Sequence, residues 1–150
     1  MKAVIQRAES ASVTIDNKIY GEIGNGLVVL LGVIEGDTQK EAEILAKKIA
    51  EMRIFKDEND KMNLSANDLN LDILVISNFT LGADCSHGRR PYFVKAARPE
   101  VANGLYKYFV EQMKKQPVKK VCTGEFGADM KLSILNDGPV TIILDTDDLK

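Results

Sequence analysis

At 150 residues the chain has the length of one domain with one sizeable core, and its 45% hydrophobic and 28% charged residues exclude wholesale disorder. No apolar run reaches the roughly 20 residues that a membrane span needs, the longest being the strand-sized Gly26 to Ile34. The net charge of −2 conceals a split: the segment from Cys85 to Cys122 carries +7 and the remainder −9. A locally basic surface on an acidic body can hold a polyanion at one place, although a solvated lysine-rich helix face accounts for the same count.

In chain order, Met1 to Arg7 has too short an apolar stretch for a signal peptide, so a cytoplasmic location is expected. Val4-Ile5 starts a first strand, and Ala11 to Ile15 alternates as a half-buried strand does. Asp16-Asn17-Lys18 is a turn signal, with Lys18 to Ile23 returning as its hairpin partner. Gly26 to Val33 is continuously apolar and reads as a central strand buried on both faces. The period then changes. Thr38 and Glu41 form a capping box, and Ala42, Leu45, Ala46, Ile49 and Met52 follow at helical spacing. Asp57 to Asp60 is a polar turn, and Leu71 to Ser77 a second buried strand. Pro99 suits the first turn of a second helix with the stripe Ala102, Leu105, Tyr106, Phe109 and Met113, ended by Gln116-Pro117. Met130, Leu132 and Ile134 alternate, and Val140 to Leu144 forms a last strand after Asn136-Asp137-Gly138-Pro139. The sum is an α/β domain spanning residues 1–150. It is expected to be a compact, layered α/β/β arrangement, with two main helices outside barrel-like packed sheets.

The two cysteines, Cys85 and Cys122, are most simply free thiols. With His87 as the single histidine they are too few for a zinc site, so neither a metal nor a cofactor is expected. Two segments carry more chemistry than plain core. Ser77-Asn78-Phe79-Thr80-Leu81 ends a buried strand with polar side chains, and N–H groups no longer committed to a ladder there can donate to a developing oxyanion. The same residues also suit a strand that simply stops and satisfies its end with hydroxyls. Asn136-Asp137-Gly138-Pro139-Val140-Thr141 is good chemistry for a tight turn between two strands. Its carbonyls point rigidly because proline fixes φ.

Together these segments resemble the D-aminoacyl-tRNA deacylase family of the bacterial and eukaryotic type. That family carries Ser-Gln-Phe-Thr-Leu, here Ser77 to Leu81, and Asn-x-Gly-Pro-Val-Thr, here Asn136 to Thr141. The likeness extends to Val4-Ile5-Gln6-Arg7, Ala11-Ser12-Val13, Lys61 to Ser65, Arg90-Pro91 with Phe93, and Thr123-Gly124 with Phe126 to Met130. Two positions depart from the pattern: Asn78 stands where glutamine is usual, and Tyr92 where serine is usual.

The resemblance implies hydrolysis of the ester joining a D-amino acid to the terminal ribose of tRNA, with glycyl-tRNA as a further substrate. It implies a homodimer in which Gly138-Pro139, joined by a cis peptide, reaches the other subunit's pocket. There the paired carbonyls would exclude an L side chain. Arg7 would brace that element, and Met130 would flank the pocket. The N–H groups of Phe79 and Thr80 would hold the oxyanion beside Ser77 and Asn78, with the vicinal ribose hydroxyl helping to activate water. A nucleophilic Thr80 hydroxyl is the alternative, but it needs a base and none is evident beside it. Arg89, Arg90 and Lys95 are the expected tRNA contacts. The competing functions are a non-catalytic tRNA-binding module, which would bind tRNA and spare its ester, an editing domain of a synthetase, and a small-molecule esterase.

Overall fold

The computed structural model describes residues 1–149. Its longest elements are β1 (Lys2–Ile15) and β8 (Lys131–Asp145), which pair antiparallel along almost their whole length. The first half of β1 also pairs with β3 (Gly26–Gly32), and its second half with β2 (Lys18–Ile23). From β3 the sheet continues in parallel to β6 (Asp72–Ser77) and β7 (Lys120–Thr123), giving the order β2-β1-β3-β6-β7 with β8 on β1. The β1–β2 hairpin turns on Asp16 and Asn17, whose φ values of 51° and 64° are the left-handed pair that a two-residue hairpin demands.

Alternation along the central strands explains the layers. Leu27, Val29 and Leu31 of β3, with Ile73 and Val75 of β6, face α1 (Gln39–Glu51) and α3 (Pro99–Lys114). Val28, Leu74 and Ile76 point the other way, onto Ala8, Ala11, Val13 and Ile23 of the β1–β2 arm. The long strands thus fold one continuous sheet back over itself, and the helices cover its other side. This is the α/β/β layering expected from the sequence, reached through one curled, nearly closed sheet. Burying both faces of β3 and β6 is what their unbroken apolar runs allow.

The helices begin where local chemistry places them. Thr38 caps α1 with Glu41 reaching back to its N–H at 2.6 Å, and the hydrogen bonds from Thr38 hold the Glu41 carboxyl below its usual pKa. Pro99 occupies the first turn of α3, which buries Ala102, Tyr106, Phe109, Val110 and Met113. The Tyr106 hydroxyl donates to the Val75 carbonyl at 2.9 Å, and burial pushes its pKa up to about 12, so it remains a donor at neutral pH. Between the two long helices lie a small hairpin, β4 (Phe55–Lys56) with β5 (Met62–Leu64), and the single-turn α2 (Ala66–Leu69).

One expectation needs correction. Asn136 to Pro139 does not turn the chain between two strands. β8 runs straight through, with Ala8 opposite Asn136 and Gln6 opposite Thr141, so residues 137–140 loop out opposite Arg7 alone. The physical reason is the Asn136 amide. It donates to the Arg7 carbonyl at 2.9 Å and to the Val140 carbonyl at 3.0 Å, spanning the gap in the ladder and returning the chain to the same line.

Candidate active site

The carboxyl ends of the parallel strands β3 and β6 open onto the site, the usual place for a crevice in such sheets. β6 ends at Ser77, and the Asn78 N–H still reaches the Leu31 carbonyl at 2.8 Å. The chain then tightens into a 3₁₀ turn, Phe79–Gly82. Gly32 lets that turn sit close: a Cβ there would lie 2.9 Å from the Leu81 Cβ and 3.1 Å from the Asn78 carbonyl oxygen. The first N–H groups of such a turn have no partner within it. Among the described residues, no protein acceptor takes the N–H of Phe79 or of Thr80.

Beside the turn lies a cleft of about 600 Å³. Ser77, Asn78 and Phe79 form one wall, Phe93, Ala96 and Arg98 a second, and Phe126 and Met130 a third. Phe79 and Phe93 meet edge to face at its mouth, their centroids 5.1 Å apart. Met130 owes its position to Gly124, where a Cβ would stand 2.4 Å from the methionine sulfur. Thr80 does not line the cleft. Its exposed hydroxyl donates to the Asn78 side-chain oxygen at 2.5 Å, so the short amide braces the turn.

The looped-out segment of β8 lies apart from this cleft in its own chain. The Gly138–Pro139 peptide is cis, both residues are exposed, and Gly138 has φ of 125°. Arg7, only 4% exposed, holds the segment. Its Nε donates to the Asp137 carbonyl at 3.2 Å and lies 3.3 Å from the Asp137 carboxylate, while Nη1 donates to the Ile54 carbonyl at 2.7 Å.

A family described as D-Tyr-tRNA(Tyr) deacylase matches residues 4–145. This chain belongs to that family. It is 52% identical over 146 residues to a D-aminoacyl-tRNA deacylase of Flavobacterium psychrophilum, covering 97% of each chain. It is 55% identical over 148 residues to one of Dehalococcoides mccartyi, covering 99% of this chain and 96% of the relative. Among solved structures, the c-Myc DNA Unwinding Element Binding Protein superposes with a TM-score of 0.92 at 44% identity, over 97% of this chain and 98% of that one. A probable eukaryotic D-amino acid tRNA deacylase shares the fold, with a TM-score of 0.80 at 16% identity over 95% and 97% of the two chains.

Within this family member, the fold brings Ser77, Asn78, Phe79 and Met130 together around one cleft and keeps Arg7, Gly138 and Pro139 around another point. Arg89, Arg90 and Lys95 are exposed on the loop before α3, and none of them lines the cleft. That loop is pinned by the paired backbone bonds of Asp84 and Tyr92, at 2.7 and 2.9 Å. Arg98 does line the cleft, as do Phe93 and Phe126. Sequence reading missed Arg98 and gave the two phenylalanines no role, although both sit in blocks that carry the family likeness. Neither Cys85 nor His87 lines the cleft, and the His87 Nδ1 is 2.8 Å from the Ser86 hydroxyl.

Proposed function

We propose that this chain, as one deacylase domain, hydrolyses the ester joining a D-amino acid to the terminal ribose of tRNA in the cytoplasm, and cleaves glycyl-tRNA as well. The observation that carries the proposal is the pair of uncommitted N–H groups at Phe79, which lines a largely apolar cleft, and at Thr80, the next residue of the same turn. Attack of water on the ester carbonyl places negative charge on its oxygen. Fixed backbone donors stabilise that charge without reorganising, and one such donor is worth about 10²–10³ in rate. An aminoacyl ester is activated, and its vicinal ribose hydroxyl lies next to the reacting carbon. The substrate thus supplies part of the proton handling, and no histidine–acid pair is needed.

Stereochemistry is assigned to Gly138 and Pro139 of a second copy. They do not line their own chain's cleft, and β8 presents them with the exposed apolar side chains Leu135 and Ile143. A two-fold dimer would place each protomer's loop at the other's cleft. Two rigid carbonyls against the α-carbon leave no room for an L side chain, whatever its size. Glycine has no side chain to reject. Deacylation of matched D- and L-aminoacyl-tRNA by the purified protein tests the proposal: rapid loss of the D ester with the L ester spared is expected, and tRNA binding that leaves both esters intact would refute it.

Two further results follow from the assigned roles. Thr80→Ala is expected to keep most of its activity, because the hydroxyl braces Asn78 and has no base beside it. A loss of several orders of magnitude in single-turnover rate, with the fold intact by circular dichroism, would return the hydroxyl to the mechanism. Charge reversal at Arg89 and Arg90, with Lys95 nearby, is expected to raise KM for aminoacyl-tRNA. It should also flatten the salt dependence by about 0.7–0.9 for each phosphate that is no longer neutralised. An unchanged slope in a titration of rate against salt would exclude this loop from the RNA-binding surface.

A further inference from the structure

The basic segment does not form one face. Arg89, Arg90, Lys95 and Arg98 stand at the cleft end of α3, and Lys114, Lys115, Lys119 and Lys120 are exposed around its far end. The 16 residues of α3 put about 24 Å between Arg98 at its start and Lys114 at its end. Between them runs a groove of about 540 Å³ along the flank of α3. It shares Phe126 with the cleft and passes Lys107 and the exposed ring of Tyr20 before reaching Lys114.

We propose that this flank of α3 is a second RNA surface, on which the groove takes the unpaired 3′ end of the tRNA and the far lysines take the phosphates of the acceptor stem. The inference rests on the deacylase reading, since it places the terminal nucleotide in the cleft. Chemistry divides along the track. Glu111 and Glu125 leave the groove close to neutral, and its aromatic Tyr20 offers a face on which a base can stack. At the end of the groove Lys114 is tied to Glu111 at 3.4 Å, but beyond it Lys115, Lys119 and Lys120 have no ion-pair partner among the described residues.

A favourable helix dipole explains lysines in the last turn of α3, and lysine on an edge strand discourages unwanted pairing. Neither explains a groove that runs from Phe126 at the cleft to Lys114, at the edge of this cluster. Nor are Lys119 and Lys120 on a loose tail. The Lys119 N–H donates to the Leu71 carbonyl at 2.9 Å, and Lys120 is in register with Asp72. Their backbone is fixed at a set distance from the site, as reading a stem of fixed geometry requires.

The test compares the unmodified protein with the triple variant Lys115→Ala, Lys119→Ala, Lys120→Ala and with a control carrying Lys40→Ala, Lys47→Ala, Lys48→Ala on α1. Three readouts are taken: turnover of D-aminoacyl-tRNA, turnover of the same ester on a trinucleotide matching the tRNA 3′ end, and affinity for uncharged tRNA across a salt series. In the triple variant KM for the full tRNA is expected to rise about tenfold and the salt slope of binding to fall by about 2, since the released counterions set that slope. Its kcat and its action on the trinucleotide ester should stay at the unmodified level. Unchanged tRNA affinity and slope, or an equal loss in the α1 control, overturns the surface. If the unmodified protein cleaves neither ester, the deacylase reading fails by itself, and the binding series still decides whether tRNA uses the far lysines.

Discussion

Replacing Gly138 with alanine is expected to lower D-ester turnover about a hundredfold, the scale on which a misplacement of about 1 Å acts. Gly138 sits at φ of 125°, where an L residue is strained. A Cβ there would lie 2.9 Å from the Val140 Cγ2, 3.0 Å from the Arg7 Nη2 and 3.1 Å from the Val140 nitrogen. The backbone nitrogen cannot yield without moving the loop, and Arg7 cannot yield without losing its carbonyl partners. The segment must therefore take a new path, and its two carbonyls move with it. Global stability should fall much less, by about 1–3 kcal/mol, because the loop is exposed and the ladder on either side is untouched. Rates on matched D and L esters, set against a urea unfolding curve, separate the two effects. Unmodified rates and selectivity would show that the loop takes no part in the reaction.

Arg7→Ala is expected to destabilise the fold by about 3 kcal/mol, read from the urea midpoint at constant slope. The guanidinium is buried and donates to two carbonyls from different elements, Ile54 beyond α1 and Asp137 on β8. Truncation strips both carbonyls of this donor and leaves a void the size of the side chain. The ion pair with Asp137 adds little, since that carboxylate is 47% exposed and water screens it. Arg7→Lys should recover only part of the loss. A single ammonium can reach one carbonyl, whereas the planar fork reaches both. Activity should fall with stability in both variants, because the loop loses its support. A midpoint within experimental error of the unmodified protein would mean that the buried fork is replaceable by water.

Much of this could be read from residue types because the relevant forces are local. The unbroken apolar run of β3, the Thr38–Glu41 cap and Pro99 at the start of α3 each act within a turn or a strand, and each appears where sequence puts it. The two central motifs were visible because they carry side chains unsuited to core. What escaped was set by distant partners. The second half of β1 looked like a separate strand, because its pairing shifts from β3 to β2 only in three dimensions. The Asn136 segment looked like a reversal, because nothing in its own residues says that Arg7 and Val140 carbonyls lie within reach of one amide. Arg98 was counted only as charge, since its place in the cleft depends on how the loop before α3 crosses the end of β6.

The interrupted ladder of β8 has a further consequence, for how such a chain can vary over generations. In a regular strand, gaining or losing one residue inverts the facing of everything downstream and would turn Ile142 and Leu144 out of the core. Residues 137–140 have no ladder partner beyond Arg7, so a change of length among 137–139 can be taken up in the excursion without inverting those positions. The ladder therefore leaves residues 137–139 open to a change of length, while Arg7 on the Asp137 carbonyl and Asn136 on the Val140 carbonyl anchor the two ends. Length variants that keep both of those anchors would report on substrate selection separately from folding.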